Sequence, residues 1–281
     1  MIRHYATCEI ESKDDYYVIF PWADEGNLGS YWEKQGSNNI SEGWMFGQML
    51  GLTEALEGFH RTGFRHGDLK PDNILLFSSI GGPTLVIGDV GISRFHEKDT
   101  FKRNTKTTTE ATTPSYQAPE VHGNPDAPRS RTYDIWSFGC VFLEFVIWHL
   151  FDDKAVKSFR SVRRASDEHS YFYKLTPEKN VADHPQVTEA IAFLLTDSRC
   201  GPGTSFRSLI TLISDNMLQL DIKRRTEVSG IVTKLREIVN SAGKNTSPTN
   251  NSTLKPFIFQ QEAMNGPKDS VMDTSLIPYR A

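Results

Sequence analysis

Between residues 64 and 77 the chain reads "FRHGDLKPDNILLF", which puts His66, Asp68, Lys70 and Asn73 within eight positions, ahead of an apolar run. An aspartate in such a set can orient a hydroxyl and accept its proton. An ammonium nearby can offset charge on a transferring phosphoryl group. Asn73 and a second aspartate, Asp89, offer hard oxygen ligands that suit Mg²⁺ better than a soft metal. Asp89 ends the apolar stretch "TLVIGDVG", just before Gly91, where its carboxylate is expected to face a cleft. Phosphoryl transfer fits this set best. Taken singly, each residue has a plainer reading: a lone loop aspartate is usually a solvated turn residue, and His66 is read as a packed structural histidine.

The elements that must carry these residues are visible in the periodicity. "ATCEIE" and "YYVIF" are β-rich runs around the polar turn "SKDD", which predicts a hairpin over the first twenty residues. Pro21 ends it, and "ADEGNLGS" turns the chain into a short helix near Tyr31. A long helix follows, with Ser41 as N-cap, Glu42 in the first turn, and Met45, Met49, Leu52, Leu56 and Phe59 on one stripe before Gly63 stops it. Ile74 to Phe77 and the "TLVIGDVG" run read as two strands joined by a Gly-Gly-Pro turn. Residues 95–113 read as a polar loop, and 152–185, charged and without period, as an irregular surface insertion. Helical patterns recur at about 186–196, 205–220 and 227–240. The stretch "IWSFGCVFLEFVIWHLF", 135–151, is weighed as a membrane span and set aside, because it is short and carries Glu144 in its middle. It reads as a core helix buried on all sides, within about 131–150.

Composition narrows the class. With 281 residues, 38% hydrophobic and 23% charged, the chain can bury a sizeable core. A net charge of -4 argues against nucleic acid as the main partner. Cys8, Cys140 and Cys200 form no CxxC pair, so neither a disulfide framework nor a zinc site is expected. A reducing compartment follows, the cytoplasm first and the nucleus second. Met1 is followed by "IRHYATCEIE", which has no apolar core of a signal peptide.

The ordered set "HGDLKPDN", "GDVG", "APE" and "DIWSFGC" resembles the eukaryotic protein kinases, over about residues 1–240. The resemblance implies an α+β fold, a mainly α large lobe (26–240) joined by a hinge (21–25) to a partial β small lobe (1–20). Residues 241–281, beginning "SAGKNTSPTNNST", read as a disordered tail. It also implies roles: Asp68 as catalytic base, Lys70 on the γ-phosphate of ATP, and Asn73 and Asp89 as Mg²⁺ ligands. Phe20 would be the gatekeeper, with the Pro21 carbonyl and the Ala23 N–H reading the adenine edge. Asp134 would brace the catalytic loop. Glu120 would pair with a late arginine, Arg225 by gapless spacing from Asp221, with Arg224 still open. "DLKPDN" with its lysine, and Thr113 in "TPSYQAPE", match the serine/threonine form, so the implied partner is a protein presenting Ser or Thr. No nucleic-acid or membrane partner is implied.

The chain departs from the family pattern at three places. Gly67 stands where many members have arginine, so Thr105, Thr107, Thr108 and Thr109 are not expected to act as an obligatory phosphorylation switch through that position. Val90 replaces a phenylalanine between Asp89 and Gly91. Upstream of Tyr16 there is no glycine-rich loop and no strand lysine with a partner glutamate, and Lys13 reads as a solvated turn charge. A second reading is therefore a kinase-like binding module without turnover. A third, a small-molecule phosphotransferase, draws on "HGD" and Gly67 but is opposed by Lys70, "TPSYQAPE" and "DIWSFGC".

Overall fold

The 132–151 stretch forms α4, Thr132–Phe151, and every residue from Tyr133 to Trp148 is buried. Among the described residues it is the one helix long and apolar enough to cross a membrane, and 89% of its apolar window is buried inside the protein. The computed structural model describes residues 1–10, 15–37, 40–89, 94–95, 114–123, 129–166, 169–178 and 180–243. Outside these lie Lys13, Val90, Gly91, Thr105, Thr107, Thr108, Thr109 and Thr113.

α4 shares one core with α1 (Leu28–Lys34), α2 (Glu42–Arg61), the single turn α3 (Glu120–Gly123), α5 (Asp153–Ser166), α6 (Pro185–Thr196), α7 (Ser205–Leu212) and α8 (Val228–Ala242). The cap predicted for α2 is present, with Ser41 accepting from the Trp44 N–H. Its stripe is buried except for Phe59, which is partly covered. The Trp148 indole donates to the Trp32 carbonyl at 3.0 Å and fastens α1 to the core helix.

Short strands position the site. The N-terminal hairpin, β1 (Ala6–Ile10) and β2 (Asp15–Ile19), is a separate antiparallel pair. A three-stranded sheet has the order β3 (Gly26–Asn27), β5 (Ile74–Phe77), β6 (Thr84–Ile87). In its register Ile74 pairs with Ile87, so the ends of β5 and β6 place Asn73 beside Gly88, whose N–H donates to the Asn73 carbonyl at 2.9 Å. A further pair, β4 (Phe64–Arg65) with β7 (Arg94–Phe95), enters the loop that holds Asp68.

Several expected boundaries shift. The strand read through to Gly91 stops at Ile87, because Gly88 and Asp89 leave the ladder. The 205–220 pattern is not one α-helix: α7 ends at Leu212 and a π turn spans Ile213–Met217. Ser241 and Ala242, read as the start of a tail, continue α8, while residues 244–281 lie outside the described residues.

The largest correction concerns 152–185, which is regular. It holds α5 and a hairpin of β8 (Tyr173–Leu175) and β9 (Val181–Asp183). Ala155, Val156, Phe159 and Val162 are buried at helical spacing. The dense Lys and Arg between them conceal the period.

Candidate active site

Asp134, near the start of α4, organises the loop that carries Asp68. Its Oδ2 accepts from the His66 N–H at 2.9 Å and its Oδ1 from the Gly67 N–H at 2.8 Å. His60 Nε2 lies 2.7 Å from Oδ2. Burial alone would raise this carboxyl, but the bond from His60 and the neighbouring donors outweigh it and hold the group below the ordinary aspartate range. His66 is fully buried and uses both ring nitrogens, Nε2 on the Gly88 carbonyl at 2.8 Å and Nδ1 toward the Asp68 N–H at 3.3 Å. It is a structural link between the two halves of the site.

Asp68 accepts from Lys70 Nζ at 2.8 Å and from Asn73 Nδ2 at 3.1 Å, both through Oδ2. Asn73 Nδ2 also bonds the Asp68 carbonyl at 2.8 Å. This second bond fixes the amide, so its nitrogen faces Asp68. Asp68 is only 8% exposed, so it sits deep in the loop and not at an open surface.

Gly67 has φ +87°, a left-handed conformation in which a side chain is strained by about 1–2 kcal/mol. The Arg65 guanidinium lies against it and stacks over the Tyr133 ring at 5.3 Å, with Arg129 over the same ring, also at 5.3 Å. The charge missing at 67 is thus present nearby on residue 65. Nothing in the local sequence signals this, since Arg65 interrupts what reads as an apolar approach to the loop.

A second group of residues lines a cleft of about 640 Å³ beneath the hairpin. Ile2, Val18 and Phe20 line it from the hairpin side, Pro21 and Ala23 from the connecting segment, and Leu75 and Asp89 from the large lobe. Neither the Pro21 carbonyl nor the Ala23 N–H has a hydrogen-bond partner among the described residues. Phe20 is 39% exposed, which makes it an open edge of the cleft. Asp89 has φ +51°, uncommon for a residue with a side chain. At Gly88 beside it, an added Cβ would come within 2.7 Å of Leu75 Cδ1, so a larger residue there would push the Leu75 side chain aside.

The expected site residues thus form two clusters. Asp89 shares the cleft with Phe20, Pro21 and Ala23, while Asp68, Lys70 and Asn73 form their own knot, joined to Asp89 through Gly88. Asn73 and Asp89 supply an amide and a carboxylate from adjoining strand ends, and that oxygen-rich pair fits a hard divalent cation such as Mg²⁺.

Two further networks frame the site. Arg225 grips Glu120 with Nη1 and Nη2, each at 2.9 Å, and also bonds the carbonyls of Gln219 and Thr132. The choice between Arg224 and Arg225 therefore falls on Arg225. The second network was not anticipated. Glu144, in the middle of α4, accepts from Arg160 Nε and Nη2 (3.1 and 2.7 Å), Arg163 Nη2 (3.0 Å) and the Tyr116 hydroxyl (2.8 Å). Burial would raise its carboxyl, but the two arginines bring it down to about 2. A carboxylate inside an apolar helix calls for a cation; that was the available signal.

A model of the protein kinase domain matches residues 1–235. The chain is 32% identical over 138 residues to a probable myosin light chain kinase of Dictyostelium discoideum, covering 49% of this chain and 26% of that protein. It is 32% identical over 168 residues to an SNF1-related protein kinase catalytic subunit alpha of Arabidopsis thaliana (58% and 31%). It is 30% identical over 149 residues to the human serine/threonine-protein kinase 16 (50% and 48%). The matched parts thus cover between about a quarter and about half of these relatives. With that match over most of its length, and with the loop, the metal-type donor pair and the Glu120–Arg225 clamp in the places described, the chain belongs to the protein kinase family.

Proposed function

We propose that this chain transfers the γ-phosphoryl group of ATP to serine or threonine hydroxyls of a protein substrate. The observation that carries the reading is the knot of Asp68, Lys70 and Asn73 held against the strand end that bears Asp89. Asp68 orients the attacking hydroxyl and takes its proton, and Lys70 offsets charge on the phosphoryl oxygens. The hydroxyl oxygen bonds phosphorus as the bond to the β–γ bridging oxygen breaks and ADP departs. The Pro21 carbonyl and the Ala23 N–H offer the acceptor and donor that an adenine edge needs. Asn73 and Asp89 would hold Mg²⁺, which when bound neutralises the phosphates. The preference for Ser and Thr draws on "DLKPDN" and on relatives named as serine/threonine kinases. The free, buried thiols of Cys140 and Cys200 support the cytoplasm as the working compartment; burial pushes Cys200 up to about 12.

One observation favours a binding module instead: no lysine or arginine is among the residues described as lining the 640 Å³ cleft. A thermal-shift titration separates the readings. If the kinase reading holds, ATP with Mg²⁺ raises the melting temperature, and Asp89→Ala removes the Mg²⁺ dependence of that shift. Asp68→Asn keeps the shift but lowers phosphoryl transfer to a serine peptide by about 10²–10⁴-fold. A nucleotide shift with no transfer by the wild-type chain, or no shift at all, removes the kinase reading and favours the binding module.

A further inference from the structure

The hairpin of β1 and β2 leaves apolar surface uncovered by any described residue. Tyr5, Tyr17, Val18, Ile19, Phe20 and Trp22 are all large and all exposed, Trp22 at 88%. Val18, Phe20 and Trp22 line the 640 Å³ cleft. Successive side chains of a strand point to opposite faces, so Tyr17 and Ile19 stand on the outer face of β2, away from that cleft. A nucleotide in the cleft would leave this outer face bare. Exposed apolar surface on a marginal two-stranded ribbon marks a place where something packs.

The course of α8 shows what can reach it. Its first turn, Val228 and Ser229, shares a cleft with Glu57, His60 and Arg61 at the C-terminal end of α2, and further along Arg236 bonds Glu54 at 2.8 Å. α8 therefore runs back along α2 toward the N-terminal end of that helix. There Trp44 donates to the Pro83 carbonyl at 2.9 Å and Gln48 accepts from the Leu85 N–H at 2.8 Å, which sets this end of α2 against the β5–β6 strands. The same strands meet the segment that leaves the hairpin, where Ser78 bonds Asp24 and Glu25. The chain thus leaves α8 toward the part of the molecule from which the hairpin rises.

Beyond α8 the sequence continues "KNTSPTNNSTLKPFIFQQ", 244–261. The polar stretch 244–253 can span about 35 Å when extended, more than the length of α2 at about 30 Å. In "LKPFIF", 254–259, Phe257 and Phe259 alternate with Ile258 in the period of a strand, and Pro256 disfavours helix before it. Charge also matches: residues 1–25 hold six acids and two bases, while 244–261 hold Lys244 and Lys255 and no acid. The later apolar run "LIPY", 276–279, follows Asp269 and Asp273 and lacks that match.

We propose that residues 254–259 dock on the outer face of the hairpin, packing Phe257 and Phe259 against Tyr17 and Ile19, and so hold the hairpin over the cleft. The face takes an extended, apolar, basic peptide, and its occupant is this chain's own C-terminal segment. The docking does not depend on the kinase reading; its expected effect on ATP does.

Amide hydrogen exchange on the full chain tests it, read by mass spectrometry over residues 15–20. Phe257→Asp/Phe259→Asp alters no residue of the helical body. In that variant the hairpin amides should exchange about ten-fold faster than in the wild-type chain, while those of α4 keep their rates. A synthetic peptide of residues 250–262, added in trans, should restore slow exchange to this variant but not to Ile19→Asp. Equal hairpin exchange in the wild-type chain and the tail variant overturns the proposal. Wild-type exchange that speeds up on about ten-fold dilution places a second copy of the chain on this face and overturns it as well. ATP affinity is read on the same samples and should fall about five-fold in the tail variant. Equal ATP affinity beside unequal exchange overturns the hold on the cleft. Slowed exchange in a chain that binds no ATP supports the docking and counts against the nucleotide reading alone.

Discussion

The helical body and the N-terminal hairpin differ sharply in how they are held. Around α4, aromatic rings meet within a few ångströms, as for Trp32 and Phe145 at 5.6 Å and Phe138 and Phe142 at 5.2 Å, and the buried carboxylate of Glu144 takes four hydrogen bonds. In the hairpin, Tyr17, Val18 and Ile19 stay 51%, 49% and 48% exposed. An isolated two-stranded hairpin is marginal in water. The proposed chemistry is divided along the same line. Asp68, Lys70 and Asn73 are anchored to the body through Asp134, whereas the upper wall of the cleft proposed to take the nucleotide hangs on the hairpin. Catalytic geometry should therefore be robust and nucleotide affinity easily perturbed.

The strongest test of the body is Glu144→Ala. It leaves the buried Arg163, and the half-exposed Arg160 beside it, without their carboxylate, at a cost of about 3 kcal/mol. Urea denaturation should show the midpoint fall with the slope unchanged. A loss below about 1 kcal/mol would mean that the body relaxes as easily as the hairpin, and the contrast would collapse.

What could be read beforehand follows the same division of physics. The Asp68 loop was legible because each residue type in it has few other uses at that spacing, and α2 because its apolar stripe is clean. The partner of Glu120 narrowed to two arginines, and only the forked contact of Arg225 decides between them. The 152–185 segment was not legible: its charges look like solvent-facing residues until Glu144, on another helix, is seen to draw Arg160 and Arg163 inward. The guanidinium of Arg65 against Gly67 depends on a left-handed turn that spacing does not reveal.

A pH titration sharpens the contrast within the body. Burial, aided by the nearby Arg199 charge, brings His149 down from 6.5 to about 4. Its Nδ1 has no hydrogen-bond partner, and the ring packs on Phe206 at 5.5 Å. The folded state thus resists protonation that the unfolded chain accepts. Its stabilising effect is complete above about pH 6.5, declines as the pH falls toward 4, and is level below that, a change of about 3 kcal/mol. In His149→Phe the slope between pH 6.5 and 4.5 should flatten, above the range where Asp134 and Glu144 begin to take protons. An unchanged slope would place the acid sensitivity elsewhere.

The smallest effect belongs to the hairpin, and it is the one that most directly separates the two regions. Val18→Ala removes two methyl groups from the cleft wall but little buried area, since half the side chain already faces water. Stability should move by less than about 0.5 kcal/mol. The same two methyl groups would be covered by a bound purine, so ATP affinity should fall by about five-fold, close to 1 kcal/mol. Calorimetric titration with ATP and urea denaturation of the same variant give both numbers. If stability drops as much as affinity, the hairpin is a cooperative part of the folded body and the nucleotide wall is not the soft element. If affinity drops alone, binding free energy itself is ordering that wall, and any contact that holds the hairpin down would raise ATP affinity without touching Asp68.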